Sequence, residues 1–214
     1  MNFPTAPINN LYVTIEKKFY DTVTFASGIV LYKDTTFHPE ESVMLIAKVI
    51  SVPKAIQQRY DYDGMQCIIK PGDTILMRYD VVFCYVDQPE RDTPIYKNVL
   101  LYNGVEYWKV DIQKVFAIQR GVDWEMVNGY ALCEPYNETI SFGKLLVVPE
   151  NYRTIQRNNT MKVKYINAPL TTAPVLPVLP NDLIHVVPDV AQLYEIDGHP
   201  LYIIKQSHIL AKHG

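Results

Sequence analysis

The side chains of this chain that could do chemistry belong to cysteines, histidines and a short acidic segment. Cys67, Cys84 and Cys133 are far apart in the sequence and lie beside apolar residues, so we expect buried free thiols before a disulfide or a metal site. Residues 60–64 include only two aspartates, fewer carboxylates than a metal site needs, which favours a solvated hairpin turn. The histidines show none of the sequence spacings typical of metal ligands. The chain has five: His38, His185, His199, His208 and His213. No serine or cysteine lies in a nucleophile motif, so we predict a protein that is not an enzyme and that needs no cofactor.

Composition narrows the class of protein further. The 214 residues are 48% hydrophobic and carry a formal net charge of −3, which is ordinary for a globular protein and gives no electrostatic reason to bind nucleic acid. No apolar run approaches the roughly 20 residues of a membrane helix. The segment Met1–Pro4 lacks the basic and apolar regions of a signal peptide. We therefore expect a cytoplasmic location, or a particle assembled in a host cytoplasm, with no membrane partner.

Period-two alternation of apolar and polar residues dominates the pattern. In Leu11–Glu16 the Leu, Val and Ile side chains fall on one face and the Tyr, Thr and Glu side chains on the other, which is typical of a half-buried strand. Asn103-Gly104 is a strong signal for a two-residue hairpin, because both central residues of a type I′ turn need positive φ. Only Asp111–Lys114 suggests a turn or two of helix. The sequence predicts an all-β protein built as a small barrel or sandwich.

A second signal is an internal repeat. Residues 103–118 align with residues 197–212 without a gap at an offset of 94. Upstream blocks align at larger offsets, 118 for Tyr12 with Tyr130, 116 for Lys48 with Lys164 and 109 for Asp73 with Asp182. Because the offset only falls along the chain, we interpret the second copy as the first copy with shorter loops. Deletions are tolerated in loops but not in strands. We predict one domain over residues 1–121 and another over 122–214.

The order of the sequence blocks in each copy is similar to that of a known protein family. The first copy reads Ser27-Gly28-Ile29-Val30-Leu31, then a strand over 47–52, then Lys70-Pro71-Gly72-Asp73, then Val115-Phe116-Ala117-Ile118. This order resembles the GroES-type co-chaperonin family, the ten-kilodalton chaperonins, and the resemblance covers nearly the whole chain. It implies two tandem GroES-like small β-barrels. The second copy departs from the pattern, because Lys144 replaces a loop glycine and Asn181 replaces the turn glycine.

The resemblance implies a function in partner binding. In the family, three aliphatic residues of a mobile loop dock into a groove on a large GroEL-type chaperonin ring, and the co-chaperonin forms a homo-oligomeric ring that caps it. The residues implied are Gly28, Ile29, Val30 and Leu31 in the first copy and Leu145, Leu146 and Val147 in the second. From the residues alone, Gly28–Tyr32 favours an ordinary buried strand after a turn, and it is the family order that reverses this preference. For the second copy both interpretations stay open, because an apolar run continues into Val148-Pro149.

The rival hypothesis is that the chain has the GroES-like fold but does not bind a chaperonin. A duplicated GroES-like domain could serve as a structural or virion protein, such as one that decorates a capsid. A regulatory binding module is a third, weaker possibility. Co-sedimentation with a large chaperonin, abolished by Leu31→Asp, would support the lid. An ordered, strand-paired segment between Thr22 and Asp34 would favour the structural role.

Overall fold

A computed structural model of the chain describes residues 3–16, 22–24, 27–32, 45–57, 67–81, 98–139, 154–167, 176–188, 190–196 and 199–213. The chain divides into two compact units, Met1–Asn128 and Gly129–Gly214. The regular elements of the described residues are antiparallel strands and three-residue 3₁₀ helices. The predicted all-β class is therefore confirmed.

The first unit contains a seven-stranded sheet and a separate two-stranded hairpin. Its strands are β1 (Asn10–Thr14), β2 (Thr22–Thr24), β3 (Val30–Tyr32), β4 (Leu45–Ser51), β5 (Thr74–Met77), β6 (Val99–Tyr102), β7 (Val105–Asp111), β8 (Val115–Gln119) and β9 (Trp124–Met126). The order in the sheet is β6-β7-β1-β4-β5-β8-β9, and β2 pairs with β3.

The second unit contains a six-stranded sheet. Its strands are β10 (Tyr130–Thr139), β11 (Thr154–Ile166), β12 (Leu183–Val186), β13 (Gln192–Ile196), β14 (His199–Lys205) and β15 (Ile209–Lys212). The order is β13-β14-β10-β11-β12-β15. It reproduces the order of the first sheet strand for strand, except that the described residues offer no counterpart of β9.

The alternation read from the sequence places side chains as expected. Leu11 and Val13 of β1 are fully buried, whereas Tyr12 between them is only partly buried. Asn103 and Gly104 have φ of 50° and 78° and join β6 to β7 with Tyr102 opposite Val105. The predicted hairpin turn is therefore confirmed. The predicted short helical segment is the 3₁₀ helix Ile112–Lys114.

Hydrogen bonds show that the two units repeat one another at the atomic level. The amide of Ile112 donates to the carbonyl of Asn9 (3.0 Å), and the amide of Gln206, 94 residues after Ile112, donates to the carbonyl of Gly129 (2.8 Å). The same 3₁₀ turn follows in each unit, over Ile112–Lys114 and over Gln206–His208. The offset of 94 is therefore correct for the last block.

Two upstream offsets are wrong by two residues. Val13 lies opposite Val49 and Trp108, and the residue in the same position of the second sheet is Cys133, opposite Val163 and Tyr202. The structural offsets are thus 120 for the first strand and 114 for the next, in place of 118 and 116. A slip of two residues leaves every side chain on its correct face, so the alternation could not reveal it. The offsets still only fall along the chain.

The division between the units follows from β9. Its residues pair with β8, with Gln119 opposite Trp124 and Ala117 opposite Met126. This places Trp124–Met126 in the first sheet, and the compact units divide between Asn128 and Gly129. The division lies later in the chain than the 121/122 boundary expected from the sequence.

The cysteines take different environments. Cys133 is fully buried in the core of the second unit, and this burial raises the pKa of its thiol to about 12. Cys67 is only partly buried, and burial raises the pKa of its thiol as well. Both are free thiols, as predicted, but only Cys133 is also buried as expected. Cys84 lies outside the described residues.

Candidate partner-binding site

The four first-copy residues predicted to bind a partner lie on one β-hairpin. Strands β2 and β3 pair in antiparallel register, with Val23 opposite Leu31 and Thr24 opposite Val30. Valine and threonine are favoured in strands because their branched side chains fit the pleated surface. The segment that was expected to be a mobile loop is therefore strand-paired at Thr22–Thr24 and Val30–Tyr32.

Gly28 and two of the aliphatic residues form the exposed end of this hairpin. Gly28 has a φ of +79°, and a Cβ added there would meet no atom within 4 Å. The backbone conformation, not lack of space, is what requires glycine. Ile29 and Val30 are 57% and 47% exposed. The structure thus brings Gly28, Ile29 and Val30 together as an apolar hairpin tip, and it places the backbone of Leu31 in β3 without describing its side chain.

The predicted binding residues of the second copy are not among those that the structure describes. Leu145, Leu146 and Val147 lie outside the described residues, so their prediction stays untested. The flanking strands are described, because β10 and β11 pair as far as Thr139 opposite Thr154. In the first unit the corresponding strands end at Thr14 and begin again at Leu45. The pair of strands that flanks the predicted binding sequence is therefore longer in the second unit than in the first.

The Pro-Gly-Asp turn of the resemblance is a tight hydrogen-bonded turn. The carboxylate of Asp73 accepts from the amide of Lys70 (2.7 Å), and it accepts two bonds from the guanidinium of Arg120, at 3.0 Å from Nε and 2.7 Å from a terminal nitrogen. Hydrogen bonding from Arg120 lowers the pKa of Asp73, although burial opposes it. The carboxylate fastens the turn before β5 to the end of β8.

The second unit builds the same turn with different residues. The carboxylate of Asp182 accepts from the amide of Leu179 (2.6 Å) and from Nζ of Lys212 (2.7 Å), and the bond from Lys212 lowers the pKa of Asp182. Asn181 has a φ of 74°, close to the 92° of Gly72. Asparagine tolerates the left-handed region better than other residues with a Cβ. The replacement of the turn glycine therefore leaves the turn intact.

One grouping of polar side chains was missed from the sequence. Nδ1 of His185 lies 3.3 Å from Oγ1 of Thr160, and the ring centroids of His185 and His213 are 6.4 Å apart. Thr160 and His185 lie opposite each other on neighbouring strands. His213 directly follows β15, in which Ala211 lies opposite His185. Their sequence separations carry no signal, because only the strand register brings them together.

Within the described ranges, no three or more His, Cys, Asp and Glu side chains are grouped so that they could hold a metal ion. Likewise, none of the helices described there is long and apolar enough to span a bilayer.

Comparisons with known proteins add no family. Neither the protein-family models nor the curated protein sequences include a match to this chain. The class of protein therefore has to be argued from the fold and from the hairpin.

Proposed function

We propose that this chain is a co-chaperonin whose first-copy hairpin docks on a large GroEL-type chaperonin ring and assists protein folding. The observation that carries the proposal is the apolar tip, where Ile29 and Val30 stand 57% and 47% exposed beside Gly28. Two neighbouring aliphatic side chains held out at a hairpin end suit a hydrophobic groove on a partner.

The energetics suit a reversible lid. Full burial of one such aliphatic side chain contributes about 1.5–3 kcal/mol, and part of this is offset by ordering the hairpin against its partner. A hairpin of two three-residue strands is marginally stable by itself, so it can adapt on docking. One hairpin then binds weakly, and several in one ring bind tightly through effective concentration.

The ring itself is part of the proposal. Each sheet closes as a GroES-like small β-barrel, and the chains assemble as a homo-oligomeric ring. Support comes from the edges of the two sheets. In the first unit β9 covers the edge of β8, whereas β15 pairs only with β12 among the described strands. A strand of the next chain that paired with β15 would repeat the β8–β9 contact head to tail, and such contacts form a ring when the rotation between neighbouring chains closes.

A structural role is the second candidate, and one observation favours it. Thr22–Thr24 is strand-paired with Val30–Tyr32, which is the feature expected of a GroES-like domain used as a building block. On this view the chain is a structural or virion protein, and the apolar tip packs against another component of the same particle. The cytoplasm, or a virion assembled in one, is the proposed location under either candidate.

Co-sedimentation with a purified GroEL-type chaperonin, with and without adenine nucleotide, separates the two candidates. Wild type should co-sediment only in the presence of nucleotide, and the double variant Ile29→Asp and Val30→Asp should not co-sediment. Leu101→Asp is the matched control, because Leu101 is a 69% exposed aliphatic residue on another hairpin of the same unit. Native mass measured in parallel should show a ring. A wild-type chain that never binds, or equal loss in the control, would remove the support for a lid.

A further inference from the structure

We infer that the second unit holds a late first-row divalent transition-metal ion between His185 and His213. His185 lies in β12 and His213 follows β15, and the amide of His213 donates to the carbonyl of Leu183 at 2.8 Å. With Ala211 opposite His185, this register puts both imidazoles on one face of the sheet, as diagonal neighbours on adjacent strands. The inference does not depend on the proposed docking function.

The distance between the rings fits a shared ion. The ring centroids are 6.4 Å apart. Zinc–nitrogen bonds are about 2.0–2.1 Å long, so two bonds and the two half-rings span nearly this separation when the ligands oppose each other. A bent, tetrahedral arrangement needs the rings to approach somewhat, and His213, which is exposed, can turn toward the partly buried His185. Imidazole donors without a carboxylate suit zinc, copper or nickel and do not suit magnesium or calcium.

Thr160 supplies the outer contact that such a site needs. Its hydroxyl lies 3.3 Å from Nδ1 of His185 and is itself on a buried residue, 8% exposed. When Nδ1 donates its proton to Oγ1, Nε2 keeps its lone pair for the metal. Hydrogen bonding of the second ring nitrogen fixes the tautomer and ring orientation of metal-binding histidines.

The surrounding charges do not oppose the ion strongly. The ammonium of Lys212 beside His213 is already paired with Asp182, at 2.7 Å. Lys162 lies opposite Leu183, one strand further from His213. Two protein ligands leave the remaining coordination positions to water, which makes this a surface site of modest affinity.

The first unit provides an internal comparison. The offset of 109 relates His185 to Leu76, which is fully buried opposite Ala117. Ala117 in turn lies opposite Met126 of β9, which is also buried. The described strands of the second unit include no counterpart of β9, and Ala211, the counterpart of Ala117, is exposed. The histidines occupy a face that is closed in the first unit and open in the second.

The test is titration of the full chain with zinc chloride, followed by calorimetry and by imidazole NMR signals. Wild type should bind one ion per chain and shift the ring signals of His185 and His213 together. His185→Leu, which installs the first-unit residue, and His213→Ala should each lose this binding. His199→Ala is the control, since His199 is an exposed histidine in the same sheet, and it should bind as wild type does.

Thr160 is tested as a positioning residue. Thr160→Val should weaken zinc binding about tenfold, the lower end of the range for outer contacts, and Thr160→Ser should restore it. Circular dichroism and thermal melting without zinc identify any variant that fails to fold. Retained binding in folded His185→Leu or His213→Ala, equal loss in His199→Ala, or no binding by wild type would overturn the inference.

Discussion

The Asp73 carboxylate offers the most decisive test of how the first unit is held together. Asp73→Asn keeps the size of the side chain and removes its charge. The wild-type carboxylate accepts three hydrogen bonds, one from Lys70 and two from Arg120, and its side chain is only 9% exposed. Asparagine retains one acceptor oxygen and turns an amide donor toward the guanidinium.

The expected cost follows from these contacts. Hydrogen bonds to charged groups contribute about 1.5–3 kcal/mol each, but the side chain of Arg120 is 36% exposed, so water screens and partly replaces its bonds. We expect Asp73→Asn to lower the free energy of unfolding of the first unit by about 2 kcal/mol at neutral pH. Glu125→Gln is the matched control, because the carboxylate of Glu125 lies 3.7 Å from the same guanidinium and is 46% exposed. Its cost should stay below about 0.5 kcal/mol.

The effect should depend on pH in a definite direction. The folded-state pKa of Asp73 lies below its ordinary value of 3.8, chiefly because Arg120 donates to the carboxylate. The stability from this charge is therefore fully present above pH 3.8 and is lost as the pH falls through the folded-state pKa. The difference between wild type and Asp73→Asn should be constant at neutral pH and should shrink in acid.

Tryptophan fluorescence during urea unfolding measures the first unit selectively. The chain has two tryptophans, and both Trp108 and Trp124 are buried in the first unit, at 1% and 7% exposure. A cost under about 0.5 kcal/mol, the typical value of an exposed pair, would refute the reasoning. So would a difference between wild type and variant that stays constant down to the lowest pH at which the chain folds.

Three further predictions concern single side chains. Asn128→Ala should destabilise the first unit by about 2 kcal/mol in the same assay, because Asn128 has a φ of 56° and its side chain donates to the carbonyls of Ile112 and Val115 at 2.6 and 2.8 Å. Asn128→Gly should cost less, and equal costs would contradict the part assigned to φ. Gln206→Ile should cost the second unit about 1–3 kcal/mol in unfolding followed by circular dichroism, since it removes the donor to the carbonyl of Asn167 at 2.8 Å; unchanged stability would contradict this. Cys133 is fully buried, and burial raises the pKa of its thiol to about 12, so it should resist a thiol reagent in the native chain and react only on unfolding. The partly buried Cys67 should react faster than Cys133 in the native chain. Peptide mapping that finds equal native rates for the two thiols would contradict this prediction.

Local patterns in the sequence predicted local structure well. Alternation identified the buried face of β1, and Asn103-Gly104 identified the turn between β6 and β7, because each signal depends on residues adjacent in the chain. The offsets of the first two strands were wrong by two residues, since a pattern of period two is unchanged by that shift. The pairing of His185 with Thr160 and His213 was invisible for a related reason: it depends on the register of three strands that are distant in sequence.

The predicted binding residues show where sequence reasoning stops. Gly28, Ile29 and Val30 could be recognised as a glycine followed by aliphatic residues, but their exposure could not. An apolar run is compatible with a buried strand and with an exposed tip, and what decides between them is whether another strand covers it. Ile29 and Val30 remain exposed because β2 and β3 form a separate two-stranded sheet. This separation arises from tertiary structure.

The duplication itself explains why the two units can differ in function while keeping one topology. Leu76 and His185 occupy equivalent positions, opposite Ala117 and Ala211. In the first unit Met126 of β9 extends this row and all three side chains are buried, so a polar side chain there would need a hydrogen-bond partner. In the second unit Ala211 is exposed, and a histidine can be accommodated with Thr160 as its partner. The described strands thus extend this row in the first unit, where its side chains are buried, and end it at an exposed alanine in the second, where a polar side chain is tolerated.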